Sequence, residues 1–186
     1  ERLYAQMLLF LEAHGIGALR PTRYRSWPEL SQALQRGLVD FTHLLMPLAI
    51  RLRFQVGVPI KVLGWTHTDG SALTVGHRIE RVPDLAGGVV AIPHPYSIHN
   101  VLLQMLLREH GITVRFQPDD DPSHRHTDHT HLQVMAPADM PDALAAGTID
   151  GFIVAEPFNA RAELNGAGRV LRFSAMCASG MPAAPS

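Results

Sequence analysis

The sequence predicts an α/β fold: a mainly parallel sheet with helices between its strands, built as two lobes around a cleft. Three observations predict it. Short apolar runs alternate with amphipathic stretches along nearly the whole chain, which is the pattern of β-α-β units. Residues 33–47, ALQRGLVDFTHLLMP, are echoed by residues 143–157, ALAAGTIDGFIVAEP. Residues 89–107, VVAIPHPYSIHNVLLQMLL, read as a buried strand, a proline-broken loop and a helix capped by Ser97.

The repeat supplies the two lobes. Ala33, Leu34, Gly37, Asp40 and Pro47 correspond to Ala143, Leu144, Gly147, Asp150 and Pro157. In each copy a glycine stops a helix, an apolar run makes a strand, and a proline opens the next helix, where a missing N–H is harmless. Helix–Gly–strand–Pro is common α/β grammar, but the aspartate is not demanded by it. Two such units predict similar lobes with a small-molecule site between them.

The elements follow in order. Leu3 to Ala13 is a helix stopped by Gly15 and Gly17. Ser26 caps the next helix, with Pro28 in its first turn and Glu29 at the third position. Leu38 to Leu45 is a strand, Pro47 to Gln55 a helix, and Ile60 to Trp65 a strand. Thr66 to Gly70 turns the chain, Ser71 to Val75 is extended, and Val82 to Ala86 is a short helix. After the strand and helix of 89–107 come a strand at Val114 to Gln117, a polar segment Pro118 to Thr130, and a strand at His131 to Met135. Pro141 to Ala146 is a helix, Thr148 to Val154 a strand, Pro157 to Asn165 a helix and Val170 to Phe173 the last strand.

Composition narrows the function. The chain has 186 residues, 46% of them hydrophobic, and a formal charge of −1, which argues against a nucleic-acid partner recruited by bulk charge. No run of 18 apolar residues occurs, so no membrane span is expected. The single cysteine, Cys177, excludes an internal disulfide framework and a cysteine-based zinc site. The start, ERLYAQMLLFLEAHG, has no initiator methionine and reads as the body of a helix, so material is expected upstream. There is no G-x-S-x-G, H-E-x-x-H, P-loop or G-x-G-x-x-G.

Candidate site residues gather where strands end and helices begin, the edge at which open α/β sheets bind ligands. His94, Tyr96, Ser97, His99 and Asn100 surround one helix start, and Met46–Pro47 and Glu156–Pro157 mark two more. Helix N-termini offer unpaired N–H groups and partial positive charge, which suit an anion. The expected ligand-binding set is His99, Ser71, Ser97, Tyr96, Glu156, His43 and Met46. A protonated His99 would add a charge-assisted hydrogen bond, and binding would weaken as pH rises through its pKa. The segment DDDPSHRHTDHTH holds His124, His126, His129 and His131. Imidazoles suit Zn, Ni or Cu, but this spacing matches no closed metal site, and a solvated loop is the expected reading. A metalloenzyme using these histidines is the competing class.

Three segments carry a resemblance. PHPYSIHNVLLQMLLREHGI, MPDALAAGTIDGFIVAEPFNARAELNG and LQRGLVDFTHLLMPLAI resemble the nitrate/bicarbonate-type substrate-binding proteins of ABC transporters. That group also takes sulfonates, taurine and thiamine precursors. The likeness covers about residues 3 to 175. It implies a two-lobed periplasmic-binding-protein-like fold of type II that closes on a small anion, without chemistry or cofactor, and delivers it to an ABC permease outside the cytoplasm. The family also includes cytoplasmic nitrate sensors that sequester an antiterminator protein. His99 matches a family position that faces the ligand. DGSALTV matches a segment in which a glutamine often follows the glycine and contacts the anion; here that residue is Ser71. Family members continue beyond both ends, so the fold is expected to be truncated, with lobe I at 1–68, lobe II at 69–170, and 171–186 a return to lobe I or an aberrant tail.

Overall fold

The structure, a computed structural model, describes residues 13, 15, 20–64, 70–116 and 128–173. Most of the expected helix at residues 3–13, the turn at 66–69, Trp65, His124, His126 and the tail beyond 173 lie outside the described residues. The chain divides into two compact units, 1–42 and 43–186. That division lies upstream of the lobe boundary expected near residue 68.

In the first unit, helix α1 spans Trp27–Gln35. Its cap is the one read from sequence: the Ser26 hydroxyl accepts from the Glu29 N–H at 3.3 Å, and the Glu29 carboxylate accepts from the Arg25 N–H at 3.0 Å. Pairing donors at the helix start in this way fixes where the helix begins. Gly37, at φ 65°, ends the turn beyond it.

The second unit opens with helix α2, Met46–Arg51, which runs into a π-helical turn, Leu52–Val56, and stops at left-handed Gly57. Six strands follow: β1 Ser71–Val75, β2 Val89–Ile92, β3 Thr113–Phe116, β4 His129–Val134, β5 Gly151–Ala155 and β6 Arg169–Phe173. Between them lie helices α3 Ile98–Glu109, α4 Met140–Ala145 and α5 Phe158–Leu164. The sheet order is β3-β4-β2-β5-β1-β6.

The period of two along the strands splits the core between the two faces of the sheet. Val90, Ile92, Leu132 and Ile153 join Leu103 and Leu107 of α3 on one face. Ala91, Phe152 and Val154 join Met140, Leu144 and Ala162 of α4 and α5 on the other.

Three expectations are corrected. The sheet is mixed: β2 is parallel to β4 and β5, and β3 to β4, but β1 runs antiparallel to both β5 and β6. Residues 38–45 and 60–64 form no strand and belong to no described sheet. An apolar pattern licenses an extended chain, whereas a strand also needs a ladder partner. Leu38 and Leu63 accordingly stand 68% and 88% exposed. Finally, β4 begins at His129 and so takes in the last two residues of the segment expected to be a polar loop, because His129 and Thr130 pair with Thr113 and Val114 of β3.

Candidate functional site

Helix α3 has twelve residues and a complete N-terminal cap. Ser97 is extended at φ −106°, ψ 150°, and its hydroxyl accepts from the Asn100 N–H at 3.1 Å. The Asn100 amide donates to the Pro95 carbonyl at 2.7 Å and accepts from Gln104 at 3.0 Å. This side-chain chain locks the 93–97 loop onto the helix, so the first turn has one geometry. His99 lies in that turn, 7% exposed.

The antiparallel strand β1 completes the site. Because β1 runs against β5, its first residue, Ser71, pairs with the last residue of β5, Ala155. Ser71 therefore sits at the edge where the parallel strands end and α3 begins. There its Oγ lies 2.9 Å from His99 Nε2. Burial pushes His99 down to a pKa of about 4, since an apolar surrounding penalises the imidazolium. Burial thus favours a neutral ring at physiological pH, where the sequence led to the expectation of a histidine that titrates near neutrality.

His99 Nδ1 is buried and has no hydrogen-bond partner among the described residues. A buried N–H without an acceptor is expensive, so the favoured tautomer carries its proton on Nε2 and donates to Ser71 Oγ. The Ser71 O–H is then available to donate to a ligand. A serine and a histidine at this distance also match a nucleophile and its base. Among the described residues no carboxylate orients Nδ1, and burial disfavours protonation of the ring.

The remaining expected residues take distinct places. Ser97 is fully buried, and its hydroxyl is engaged in the cap. Tyr96, 40% exposed, has the Arg51 guanidinium 4.8 Å above its ring centroid and the His94 ring 5.8 Å away. Its N–H meets His94 Nδ1 at 3.0 Å. Glu156 is exposed and accepts from the Ala160 N–H at 3.1 Å, while its own N–H donates to the Gly70 carbonyl at 2.7 Å, next to Ser71. His43 and Met46, both half-buried, stand before and at the start of α2. That helix ends in Arg51 and so reaches the α3 entry through Tyr96.

Sequence reading missed three residues. Arg51 sits where a helix pattern shows only a solvated cation. His94 was noted only as part of a polar cluster, yet burial and the Arg51 charge hold its pKa below the ordinary value. Asn159 is fully buried; it accepts from Thr74 at 2.9 Å and donates to the Val154 carbonyl at 3.0 Å, tying the start of α5 to β1 and β5. An asparagine two residues after a strand-ending proline was the available signal.

Of the histidine segment, residues 128–131 are described, and its last three residues open β4. His129 is buried in β4, with Nδ1 2.8 Å from Asp128, and its ring meets that of His131 at 4.8 Å. Among the described residues no group of three or more His, Cys, Asp or Glu is arranged to hold a metal.

A mixed six-stranded sheet with helices packed on both faces, and polar residues at its strand ends beside a capped helix, defines an α/β fold. Solved structures agree. The ligand-binding component of an ABC-type import system from Staphylococcus aureus, solved with zinc bound, is 29% identical with a TM-score of 0.70, covering 86% of this chain and 51% of that one. The nitrate-binding protein NrtA from Synechocystis shares the fold at TM-score 0.69 and 18% identity, covering 89% and 46%. The alkanesulfonate-binding protein SsuA from Xanthomonas axonopodis pv. citri does so at 0.68 and 21%, covering 92% and 56%.

The chain belongs to the NMT1-like family, whose model matches residues 3–183. It is 29% identical over 184 residues to the bicarbonate transport ATP-binding protein CmpC of Synechocystis, which it matches over 88% of its own length and 26% of that protein's. It is 23% identical to the nitrate/nitrite binding protein NrtA of Nostoc, over 82% of this chain and 37% of that protein. The chain thus spans about a quarter of the length of CmpC. CmpC is named for ATP binding, but the region in common carries no P-loop in this chain.

Proposed function

We propose that this chain captures a small oxyanion for an ABC importer, binding and releasing it unchanged at the edge where Ser71, His99 and the start of α3 meet. The observation that carries this reading is the hydrogen bond between Ser71 and His99 in the first turn of a twelve-residue helix. It sets a hydroxyl donor beside unpaired helix N–H groups, with a neutral ring behind it. Such a site attracts negative charge and has no activated nucleophile.

The names of the relatives support nitrate, bicarbonate or a sulfonate as the ligand class. A permease with its ATPase is the partner this function requires, and an extracytoplasmic location goes with it. In this reading α2 belongs to a first lobe and residues 70–173 to a second, with the cleft at the sheet edge. Among the described residues no helix is long and apolar enough to cross a membrane.

Isothermal titration of the full chain with sodium nitrate, nitrite, bicarbonate and methanesulfonate tests the proposal. At least one anion should bind, and Ser71→Ala and His99→Ala should each lose about tenfold or more in affinity, since about 1.4 kcal/mol is a factor of ten. His110→Ala, at the exposed far end of α3, should bind like the wild type. No binding by any of the four anions overturns the reading.

A further inference from the structure

Arg51 ends α2, and its guanidinium rests 4.8 Å from the centroid of the Tyr96 ring. Three other described arginines are held by carboxylates or carbonyls. Arg161 grips both Asp142 oxygens at 2.8 Å, Arg78 pairs with Asp150, and Arg169 donates to the Ile79 and Glu80 carbonyls. Arg51 has an aromatic face beneath it instead. Held there by its charge rather than through its N–H groups, a guanidinium keeps donors that can grip a two-oxygen acceptor. Tyr96 is adjacent to the Ser97 cap and three residues from His99, so the fork is tied to the loop that enters α3. The charge of Arg51 is also felt at His94 in the same loop.

We propose that Arg51 is the specificity-determining cation of the site, a guanidinium presented on Tyr96 that takes two oxygens of a small oxyanion. This rests on the anion-capture reading above and supplies what that site otherwise lacks, a full positive charge. Helix N–H groups and a serine hydroxyl would accept any small polar ligand. A fixed fork selects oxyanions with two oxygens on one centre over halides.

The experiment titrates the full chain with sodium nitrate, bicarbonate, methanesulfonate and chloride, using wild type, Arg51→Gln, Arg51→Lys, Tyr96→Ala and Arg81→Gln, each checked for a native melt. Arg51→Gln should weaken oxyanion binding at least tenfold and shrink the preference over chloride. Arg51→Lys keeps the charge but loses the fork, so it should fall between wild type and Arg51→Gln. Tyr96→Ala should weaken binding by loosening the guanidinium, and Arg81→Gln, near the opposite edge of the sheet, should not. Wild-type binding with equal affinity in Arg51→Gln and Arg51→Lys overturns this inference and leaves the anion-capture reading standing. Absence of oxyanion binding in the wild type overturns both.

Discussion

Ser71 Oγ and His99 Nε2 lie 2.9 Å apart although 28 positions separate the two residues in the chain. The antiparallel course of β1 makes this possible, because it returns the first residue of the strand to the end at which β2 and β5 finish. One buried imidazole thereby reports on both the sheet edge and the start of α3, and its neutrality has measurable consequences.

The first concerns stability. Unfolded, His99 takes up a proton near pH 6.5; folded, it does so only near pH 4. Between these values the unfolded chain binds more protons, so stability falls as pH drops from about 6.5 towards 4 and changes little above that window. The loss is on the order of 3 kcal/mol by the energy of one pKa unit. Urea midpoints measured from pH 4 to 8 should show a shallower acid slope for His99→Gln than for wild type. Parallel curves would mean that His99 is not buried neutral.

The second concerns the ligand. If His99 stays neutral, nitrate affinity should change less than about twofold between pH 6 and 8, because no proton is taken up by the ring in that range. Titration calorimetry at three pH values measures this directly. A steady loss of affinity as pH rises would restore a protonated histidine to the site.

The third concerns Ser71 as a support for the ring. Ser71→Ala removes the partner of His99 Nε2 and leaves a buried polar ring with neither nitrogen satisfied by the described residues. That should destabilise the chain by about 1–3 kcal/mol. The double variant Ser71→Ala, His99→Leu should recover part of the loss, as expected when both members of a buried polar pair are replaced. Additive losses in a denaturant cycle would argue that the hydrogen bond carries no coupling energy.

Much of this arrangement was legible in sequence. The Ser26 and Ser97 caps, the helix at 98–109 and the glycine stops at Gly37 and Gly147 are local signals, and each is where the residues placed it. The convergence of Ser71 with His99 followed from the family likeness together with the rule that ligands gather at strand ends. The mixed sheet did not, because a short extended run such as 71–75 reads alike in either direction. Nor did the absence of strands at 38–45 and 60–64, since pairing depends on residues distant in the chain. Arg51 was invisible for the same reason: a cation becomes a candidate only once a ring is found beneath it.

Arg51 also makes a spectroscopic prediction at a neighbour. Burial first, and the Arg51 charge second, hold the His94 pKa below its ordinary value. Removing the charge in Arg51→Gln should raise it part of the way back, leaving the contribution of burial. Histidine proton shifts followed by NMR across pH 4 to 8 would show this. An unchanged His94 titration would separate Arg51 from the loop that precedes α3.

Asp150 ends the argument at the opposite edge of the sheet. It is the aspartate of the repeat that common α/β grammar did not require, and its two copies differ: Asp40 is exposed, whereas Asp150 is 4% exposed. One carboxylate oxygen accepts the Val89 N–H at 2.8 Å, and the other pairs with Arg78. The carboxylate thus holds the first residue of β2 against the start of β5, and so fixes the strand whose far end leads into α3. A methyl group added at Gly88 would come within 2.8 Å of the same carboxylate and 3.2 Å of the Leu85 carbonyl, so no side chain fits there without moving it. Asp150→Ala should destabilise by about 2–3 kcal/mol, the usual worth of hydrogen bonds to a charged group. Asp150→Asn should lose less, because its amide oxygen still accepts from Val89. Gly88→Ala should resemble Asp150→Ala, since it displaces the carboxylate. Asp40→Ala should change stability by less than about 0.5 kcal/mol, as surface substitutions usually do. Equal losses at Asp40 and Asp150 in thermal or urea unfolding would show that burial and the Val89 contact do not distinguish the two copies.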